Sequence, residues 1–340
     1  MKQILIIGPC AAESREQLLA TARALHPSIF LPLSKGGCGC PPFTLIFRAG
    51  IWKPRTSPAT FQGVGEQALE WLIDVKRKTG LDVATEVATP EHVRLALQAG
   101  IDYLWIGART SANPMAVQAI ADALRDRKPK AVFIKNPVNN DPQLWLGNIA
   151  RLEAASVQVM AIHRGCAHRP CWQMAYTLRT ARPDIPLLLD PSHMTGDSRQ
   201  VPEAMRRVSQ LGLDGTMIEV HCAPHEALSD AGQQITPDQL RDILAQLPAP
   251  TPQEQWPLQW LRAMIDEVDQ DLWTLIDQRM ALAEQIGEYK KTQHMAPLQK
   301  ERFQAILDQR LEWAKTHHIE SDTVRSIMDA LHQEALRHQQ

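Results

Sequence analysis

The chain contains no apolar run approaching the roughly 20 residues that cross a bilayer, which excludes a helical membrane protein. It has no block of Lys and Arg dense enough to hold a nucleic acid, so small anionic molecules are the better expected ligands. No G-x-G-x-x-G or Walker A pattern follows any apolar run, which removes the main positive reason to expect a nucleotide-binding open sheet. The opening run from Ile4 to Ile7 stops at Gly8-Pro9, short of the roughly 7 to 15 apolar residues of a secretion signal, and reads as a first β-strand. Six cysteines scattered through 340 residues make no disulfide framework. Each is expected as a reduced thiol or a metal ligand in a cytoplasmic protein.

What is present is the composition of a soluble globular chain, 44% hydrophobic and 22% charged, with a length that favours one large and one small domain. Between Leu247 and Pro257 four prolines fall within eleven residues, which predicts a linker over 248–258 separating a domain at 1–247 from one at 259–340. The two parts differ in charge. Residues 1–247 carry 26 Lys and Arg against 23 Asp and Glu, residues 248–340 carry 10 against 15.

Before the linker, short β-branched or aliphatic runs alternate with helical patterns. They lie at 4–7, 45–47, 83–85, 104–106, 132–134, 157–162, 187–189 and 217–220. Eight strand–helix units in about 245 residues predict a parallel α/β fold of the (β/α)8 TIM-barrel type, with a doubly wound sheet as runner-up. Chemistry in such a barrel sits at the C-terminal ends of the strands. The polar residues just after the apolar runs are Cys10, Arg48 with Lys53 and Arg55, Glu86, Arg109, Lys135, Arg164, His193, and Glu219 followed by Asp230. The cations gathered there call for phosphate or carboxylate ligands. Cys10, His193, Glu219 and Asp230 form a mixed soft and hard donor set suited to one divalent ion of the Mn, Fe, Co or Zn kind. Cys38 and Cys40 lack zinc-site spacing and read as loop residues. Cys166, Cys171 and Cys222 are expected as packing residues near the mouth, and His221 and His225 behind the metal or at the surface.

Gly8-Pro-Cys-Ala-Ala-Glu13, Lys53-Pro-Arg-Thr-Ser57, Ile106-Gly-Ala-Arg-Thr110, Lys135-Asn-Pro137, His163-Arg-Gly165, Asp190-Pro-Ser-His193 and Ile218-Glu-Val-His221 together resemble the motifs of 3-deoxy-D-arabino-heptulosonate 7-phosphate (DAHP) synthases, in order along residues 1 to about 245. The resemblance implies that Arg48 and Lys53 hold the carboxylate of phosphoenolpyruvate and that Arg109, Lys135 and Arg164 hold its phosphate. It implies Arg55 and Thr56 for the phosphate of erythrose 4-phosphate, Cys10, His193, Glu219 and Asp230 for the metal, and Glu86 or a metal-bound water for proton handling. The sister family, 3-deoxy-D-manno-octulosonate 8-phosphate synthases, shares the barrel. Lys53-Pro-Arg-Thr resembles the erythrose-phosphate version, and Cys10 the metal-dependent one.

From Leu261 the pattern is helical, with apolar residues at Leu261, Ile265, Val268, Leu272, Leu275, Leu282, Ile286 and Tyr289 spaced alternately by four and three. This predicts a buried stripe whose one gap, Arg279, needs an anionic partner. Lys290 falls on the same face as Arg279, and breaks at Pro297 and His317-His318 give three helices. Residues 260–340 resemble the all-helical chorismate mutases. The resemblance implies that Arg262 and Arg279 clamp the substrate's carboxylates with help from Arg302, and that Lys290 and Gln339 donate to the ether oxygen, without cofactor. Phe303 and Ala335 depart from that pattern, which makes Gln299 the candidate for the substrate hydroxyl. They also leave open a second reading, a non-catalytic domain that senses chorismate or prephenate. Arg262 and Lys290 are 28 residues apart, or about 42 Å along one helix, so the site is expected to be shared in a homodimer formed through the helical domain.

Overall fold

The computed structural model describes residues 3–26, 43–55, 57, 59–249, 251–296 and 299–339. Eight parallel strands close into a barrel in chain order: β1 Ile4–Gly8, β2 Thr44–Arg48, β3 Asp82–Val87, β4 Tyr103–Ile106, β5 Ala131–Lys135, β6 Val159–His163, β7 Leu187–Leu189 and β8 Gly215–Glu219, with β1 pairing both β2 and β8. The doubly wound alternative is thereby excluded.

The period-two alternation of each strand separates two cores. Ile4, Ile6, Ile46, Ala84, Trp105, Phe133, Ile162, Leu188 and Met217 fill the barrel interior. Their neighbours Leu5, Ile7, Phe47, Val83, Leu104, Val132, Ile134, Ala161 and Leu187 face outward and pack with the helices. Because both faces are buried, the strands read as continuous apolar runs.

Several crossover helices are started by a capping side chain followed by proline. Thr89, Asn113, Asp141, Asp190 and Thr236 each accept a backbone N–H of the first turn, with Pro90, Pro114, Pro142, Pro191 and Pro237 next in sequence. Proline is tolerated there because its missing N–H would have had no helical partner. At the mouth, Gly8 has φ +146, and a Cβ on it would lie 2.1 Å from the Arg48 carbonyl oxygen. Only glycine lets the end of β1 close this tightly on β2.

After the helix Pro237–Ala245, a 3-10 turn at Gln253–Gln255 leads into the helix Trp256–Thr292. Helix therefore begins inside the stretch expected to be linker. Pro257 does not prevent it, because proline in a first helical turn removes no helical hydrogen bond. Trp256 covers Gly212, and Trp260, 2% exposed, packs edge-on against Trp172 with ring centroids 5.9 Å apart. By packing, the chain divides into residues 1–264 and 265–340.

The second unit holds the rest of that helix with Lys300–Thr316 and Ser321–His338, an all-α arrangement of three helices. Its core is small: Met280, Ala283 and Ala335, flanked by Ile276 and Leu331. The stripe from Leu261 to Tyr289, expected to be buried, is 48–65% exposed in the single chain. The inward face is carried instead by residues 276, 280, 283, 287 and 290.

Candidate active sites

The mouth of the barrel is assembled from residues that end the strands. Cys10 follows β1 and is fully buried, with its backbone N–H donated to Gln234 Oε1 at 3.0 Å. Its thiol donates to Asp230 Oδ2 at 2.9 Å, and Lys53 Nζ donates to Cys10 Sγ at 2.9 Å and to its carbonyl oxygen at 3.1 Å. Asp230 is at φ +52, a left-handed conformation that Asp tolerates better than most residues and that turns the chain into Ala231–Gln233.

Ligand atoms of Cys10, Glu219 and Asp230 all lie within 4.8 Å of one another. His193 stands beside this group, with Nε2 3.6 Å from Glu219 Oε1 and Nδ1 against Asp190. Gln233 Nε2 donates to Glu219 Oε2 at 2.7 Å. Thiol, imidazole and carboxylates are the donor set of a borderline divalent metal; Cys10 and Glu219 are buried, and His193 and Asp230 half-buried at the cavity.

Burial, followed by the charge of Glu219, pushes the Cys10 thiol up to about 12 in the metal-free protein. Burial acts against ionisation of Asp230 and Glu219 as well, yet Asp230 is held down by Cys10, Lys53 and Arg55, and Glu219 by His193, Arg48 and Lys53. The site therefore favours two ionised carboxylates beside one protonated thiol.

The mouth's cations are partly balanced by the same carboxylates. Arg48 Nη2 meets Glu219 Oε1 at 3.2 Å, Arg55 Nη1 meets Asp230 Oδ2 at 3.0 Å, and Lys135 Nζ meets Asp190 Oδ2 at 2.6 Å. Arg48 is 1% exposed, its guanidinium 4.8 Å from the Trp105 ring centroid, and its Nε and Nη1 have no hydrogen-bond partner. Two buried charged donors left in that state are costly unless a ligand accepts them.

Lys53, Arg55, Glu86, Arg109, Lys135, Arg164, His193 and Asp230 line one cavity together with Pro54, Gly107, Ala108 and Val138. Gly107 is what admits Glu86: a Cβ on it would fall 1.9 Å from Glu86 Oε1. Thr56 lies outside the described residues, as do Cys38 and Cys40.

Some expectations shift. His221 is 3% exposed, its Nδ1 accepting the Ala223 N–H at 2.9 Å, and His225 is exposed. Cys166 and Cys171 are half-buried, whereas Cys222, expected as a packing residue, is exposed. Asp190, Asn136 and Ser192 contribute more than the sequence reading assigned. Asn136 accepts the Arg164 N–H at 2.7 Å and donates to Gly165 O at 3.0 Å, and Ser192 Oγ accepts the Glu219 N–H at 3.0 Å. All three lie inside the quoted motifs, which was the available signal. Gln233 and Gln234 carried none.

In the helical unit, Lys290 Nζ donates to Gln339 Oε1 at 3.1 Å, and both residues are 9% exposed. Arg279, half-buried, donates from Nη1 to the Leu331 carbonyl at 2.9 Å. Phe303 stacks on His332 at 4.1 Å. Gln299 precedes the second helix and is half-buried, while Arg302 is exposed, as is Arg262 in the first packing unit.

A closed barrel with buried cations and acids at its strand ends, carrying a separate helical unit with a buried lysine, defines an enzyme for small anionic substrates. Comparison with known proteins is more specific: the chain belongs to the DAHP synthetase I family, whose model matches residues 1–251, and the chorismate mutase type II model matches residues 261–340. It is 29% identical over 250 residues to the phospho-2-dehydro-3-deoxyheptonate aldolase of Thermotoga maritima, covering 72% of this chain and 68% of that protein. A 2-dehydro-3-deoxyphosphooctonate aldolase of Wolinella succinogenes is 28% identical over 266 residues, covering 72% of this chain and 97% of its own. The crystal structure of the Thermotoga maritima enzyme aligns with a TM-score of 0.59 at 26% identity, covering 72% of this chain and 67% of that one.

Proposed function

We propose that one chain condenses phosphoenolpyruvate with erythrose 4-phosphate at the barrel mouth and rearranges chorismate to prephenate in its helical domain. The observation that carries the barrel reading is Arg48, a buried guanidinium with two unpartnered nitrogens beside the Cys10, Glu219 and Asp230 group. A planar fork of this kind suits a carboxylate.

In this reading Arg48 and Lys53 grip the carboxylate of phosphoenolpyruvate, and Lys135, Arg164 and Arg109 its phosphate. Arg55, with Thr56, takes the phosphate of erythrose 4-phosphate. Cys10, His193, Glu219 and Asp230 would hold one divalent ion, which when bound polarises the sugar aldehyde as a Lewis acid. Carbon 3 of phosphoenolpyruvate attacks that aldehyde, water adds at carbon 2, and phosphate departs. The cations hold the two substrates face to face, which converts an encounter into an oriented reaction. Glu86, admitted to the cavity by Gly107, is the side chain assigned to proton handling.

In the helical domain, Arg279, Arg262 and Arg302 are assigned to the carboxylates of chorismate, Lys290 and Gln339 to its ether oxygen, and Gln299 to its hydroxyl. Oxygen gains negative charge as the carbon–oxygen bond breaks, so donors fixed in place stabilise the transition state. Burial of the Lys290–Gln339 pair favours an active site over the sensor reading. The exposed stripe from Leu261 to Tyr289 supports a homodimer: apolar residues alternating by four and three bury themselves against another helix, and in a single chain these do not.

The test supplies purified full-length chain with manganese, phosphoenolpyruvate and erythrose 4-phosphate, and separately with chorismate. A chain that consumes no phosphoenolpyruvate sinks the barrel reading. For the shared mutase site, inactive Arg262→Ala and Lys290→Ala proteins are mixed under conditions of subunit exchange. Random pairing makes about half the dimers mixed, each with one intact site, so roughly a quarter of wild-type activity should return. Verified exchange without recovery refutes a shared site.

A further inference from the structure

Asp190 ends the β7 segment, and its carboxylate is completely buried. Its backbone N–H is held by the His163 carbonyl at 2.8 Å, which fixes it against β6. Oδ1 accepts the His193 backbone N–H at 3.0 Å, capping the helix Pro191–Thr195, and lies 3.1 Å from His193 Nδ1. Oδ2 accepts Lys135 Nζ at 2.6 Å and also stands 2.9 Å from His193 Nδ1. Burial opposes the charge, but His193 and Lys135 keep this carboxyl well below the ordinary carboxylate range.

Resting on the reading of the barrel given above, we propose that Asp190 is a positioning residue that sets two functions at once: through Oδ2 it aims the phosphate-binding Lys135, and through both oxygens it orients the metal-binding His193. Lys135 ends β5 and is 4% exposed, so a flexible four-carbon stem is pinned by one ionic contact. Accepting from Nδ1–H fixes the imidazole tautomer and leaves the Nε2 lone pair on the side of Glu219, 3.6 Å away. One buried acid thereby joins the phosphoenolpyruvate subsite to the metal subsite.

His193 Nδ1 lies within reach of both oxygens, at 3.1 Å from Oδ1 and 2.9 Å from Oδ2, whereas Lys135 contacts Oδ2, so a change confined to the Oδ2 position takes more from the lysine than from the imidazole. Asparagine caps helices as well as aspartate does. In Asp190→Asn, an amide oxygen turned toward His193 keeps the cap and the imidazole contact, while the amide N–H faces the Lys135 ammonium, donor against donor. The reverse orientation gives up two acceptances to keep one. Asp190→Ala removes both functions.

Two binding measurements on the full chain test this: cobalt uptake by metal-free protein, followed by absorption, and phosphoenolpyruvate binding, followed by tryptophan fluorescence. Asp190→Asn should bind cobalt within about twofold of wild type. It should bind phosphoenolpyruvate roughly tenfold more weakly, the loss of a charge-assisted contact. Asp190→Ala should weaken cobalt as well, by roughly 10- to 100-fold, the usual cost of losing a histidine's orienting partner. In a Lys135→Met background, Asp190→Asn should cost phosphoenolpyruvate nothing further, because its effect on that ligand runs through the lysine. Equal weakening of both ligands by Asp190→Asn, no weakening of phosphoenolpyruvate, or a full additional loss in Lys135→Met each overturns the proposal. Should circular dichroism find Asp190→Asn unfolded, Lys135→Met alone must weaken phosphoenolpyruvate while leaving cobalt uptake within about twofold, and failure of that separation overturns the proposal too. If wild-type protein binds neither cobalt nor phosphoenolpyruvate, the barrel reading fails first; if it binds both and the variants do not separate them, only the role of Asp190 falls.

Discussion

Replacing Gly287 by alanine should damage one activity and spare the other. Gly287 lies on the buried face of the helix Trp256–Thr292, one turn before Lys290. A Cβ there would meet Gln339 Cα at 2.8 Å, Cγ at 3.0 Å and Cβ at 3.1 Å. Ordinary carbon–carbon contact is about 3.5–4.0 Å, so the end of the third helix must retreat by about 1 Å. Overpacking of this sort costs about 1–3 kcal/mol, and the better helix propensity of alanine returns about 1 kcal/mol, leaving the helical unit between unchanged and about 2 kcal/mol less stable. The functional effect should be larger than the thermal one. Lys290 and Gln339 are joined at 3.1 Å, and a displacement of about 1 Å in a preorganised site can cost on the order of 100-fold. Chorismate turnover by Gly287→Ala full-length protein should therefore fall roughly 10- to 100-fold, with phosphoenolpyruvate consumption unchanged. Wild-type chorismate turnover together with an unchanged or raised melting temperature would show that the contact relaxes harmlessly and refute the forced displacement, whereas wild-type turnover with a lowered melting temperature would count against the assignment of Gln339.

Chelation with EDTA should abolish heptulosonate phosphate synthesis and leave chorismate rearrangement intact, since the metal donor set lies in the barrel. Cys10→Ser, which exchanges a thiolate for a poor neutral ligand, should lose bound metal, and wild-type metal content in it would refute the assignment. Arg55→Ala, assayed at saturating metal because Arg55 also pairs with Asp230, should raise the KM for erythrose 4-phosphate roughly tenfold while phosphoenolpyruvate changes little. Equal losses for both substrates would contradict it. His163 is held down to about 4 by burial, against its usual 6.5, so in the window between them the unfolded chain takes up a proton that the folded chain refuses. Stability should fall as pH drops through that window, more steeply in wild type than in His163→Gln; identical slopes in thermal melts would count against this.

Much of the barrel is legible because its physics is local. Strands buried on both faces appear as unbroken apolar runs, and the Thr-Pro, Asn-Pro and Asp-Pro pairs that cap several crossover helices mark where they begin. Residues after each run fall at the mouth by topology alone. The balance of charge there is not local. A row of cations seemed to require an anionic ligand, yet Arg48, Arg55 and Lys135 already lean on Glu219, Asp230 and Asp190, partners at least 55 residues away in sequence. Periodicity contains no information about such pairs. It also passes over Asp190, which as the first residue of its motif looks like a helix cap and is one, while also holding two functional side chains.

The helical tail shows a different limit. Spacing by four and three says that a helix face is meant to be covered, but not by what. The stripe from Leu261 to Tyr289 reads as buried, and within the single chain the helices pack instead on Ile276, Met280, Ala283 and Lys290, leaving the stripe at the surface. The two patterns differ in strength. Seven leucines, isoleucines and valines and one tyrosine dominate any reading by hydropathy, while the inward face mixes Ile276 and Met280 with small and polar residues, Ala283, Gly287 and Lys290, that allow close helix approach and enclose a buried charge. An interior that must hold a dianionic substrate has to be polar and tightly spaced, so its sequence resembles an exterior. The polar inner face is therefore what a helical enzyme with a site of this kind should display, and Arg279, the one residue that interrupts the apolar stripe, reaches that face at the Leu331 carbonyl.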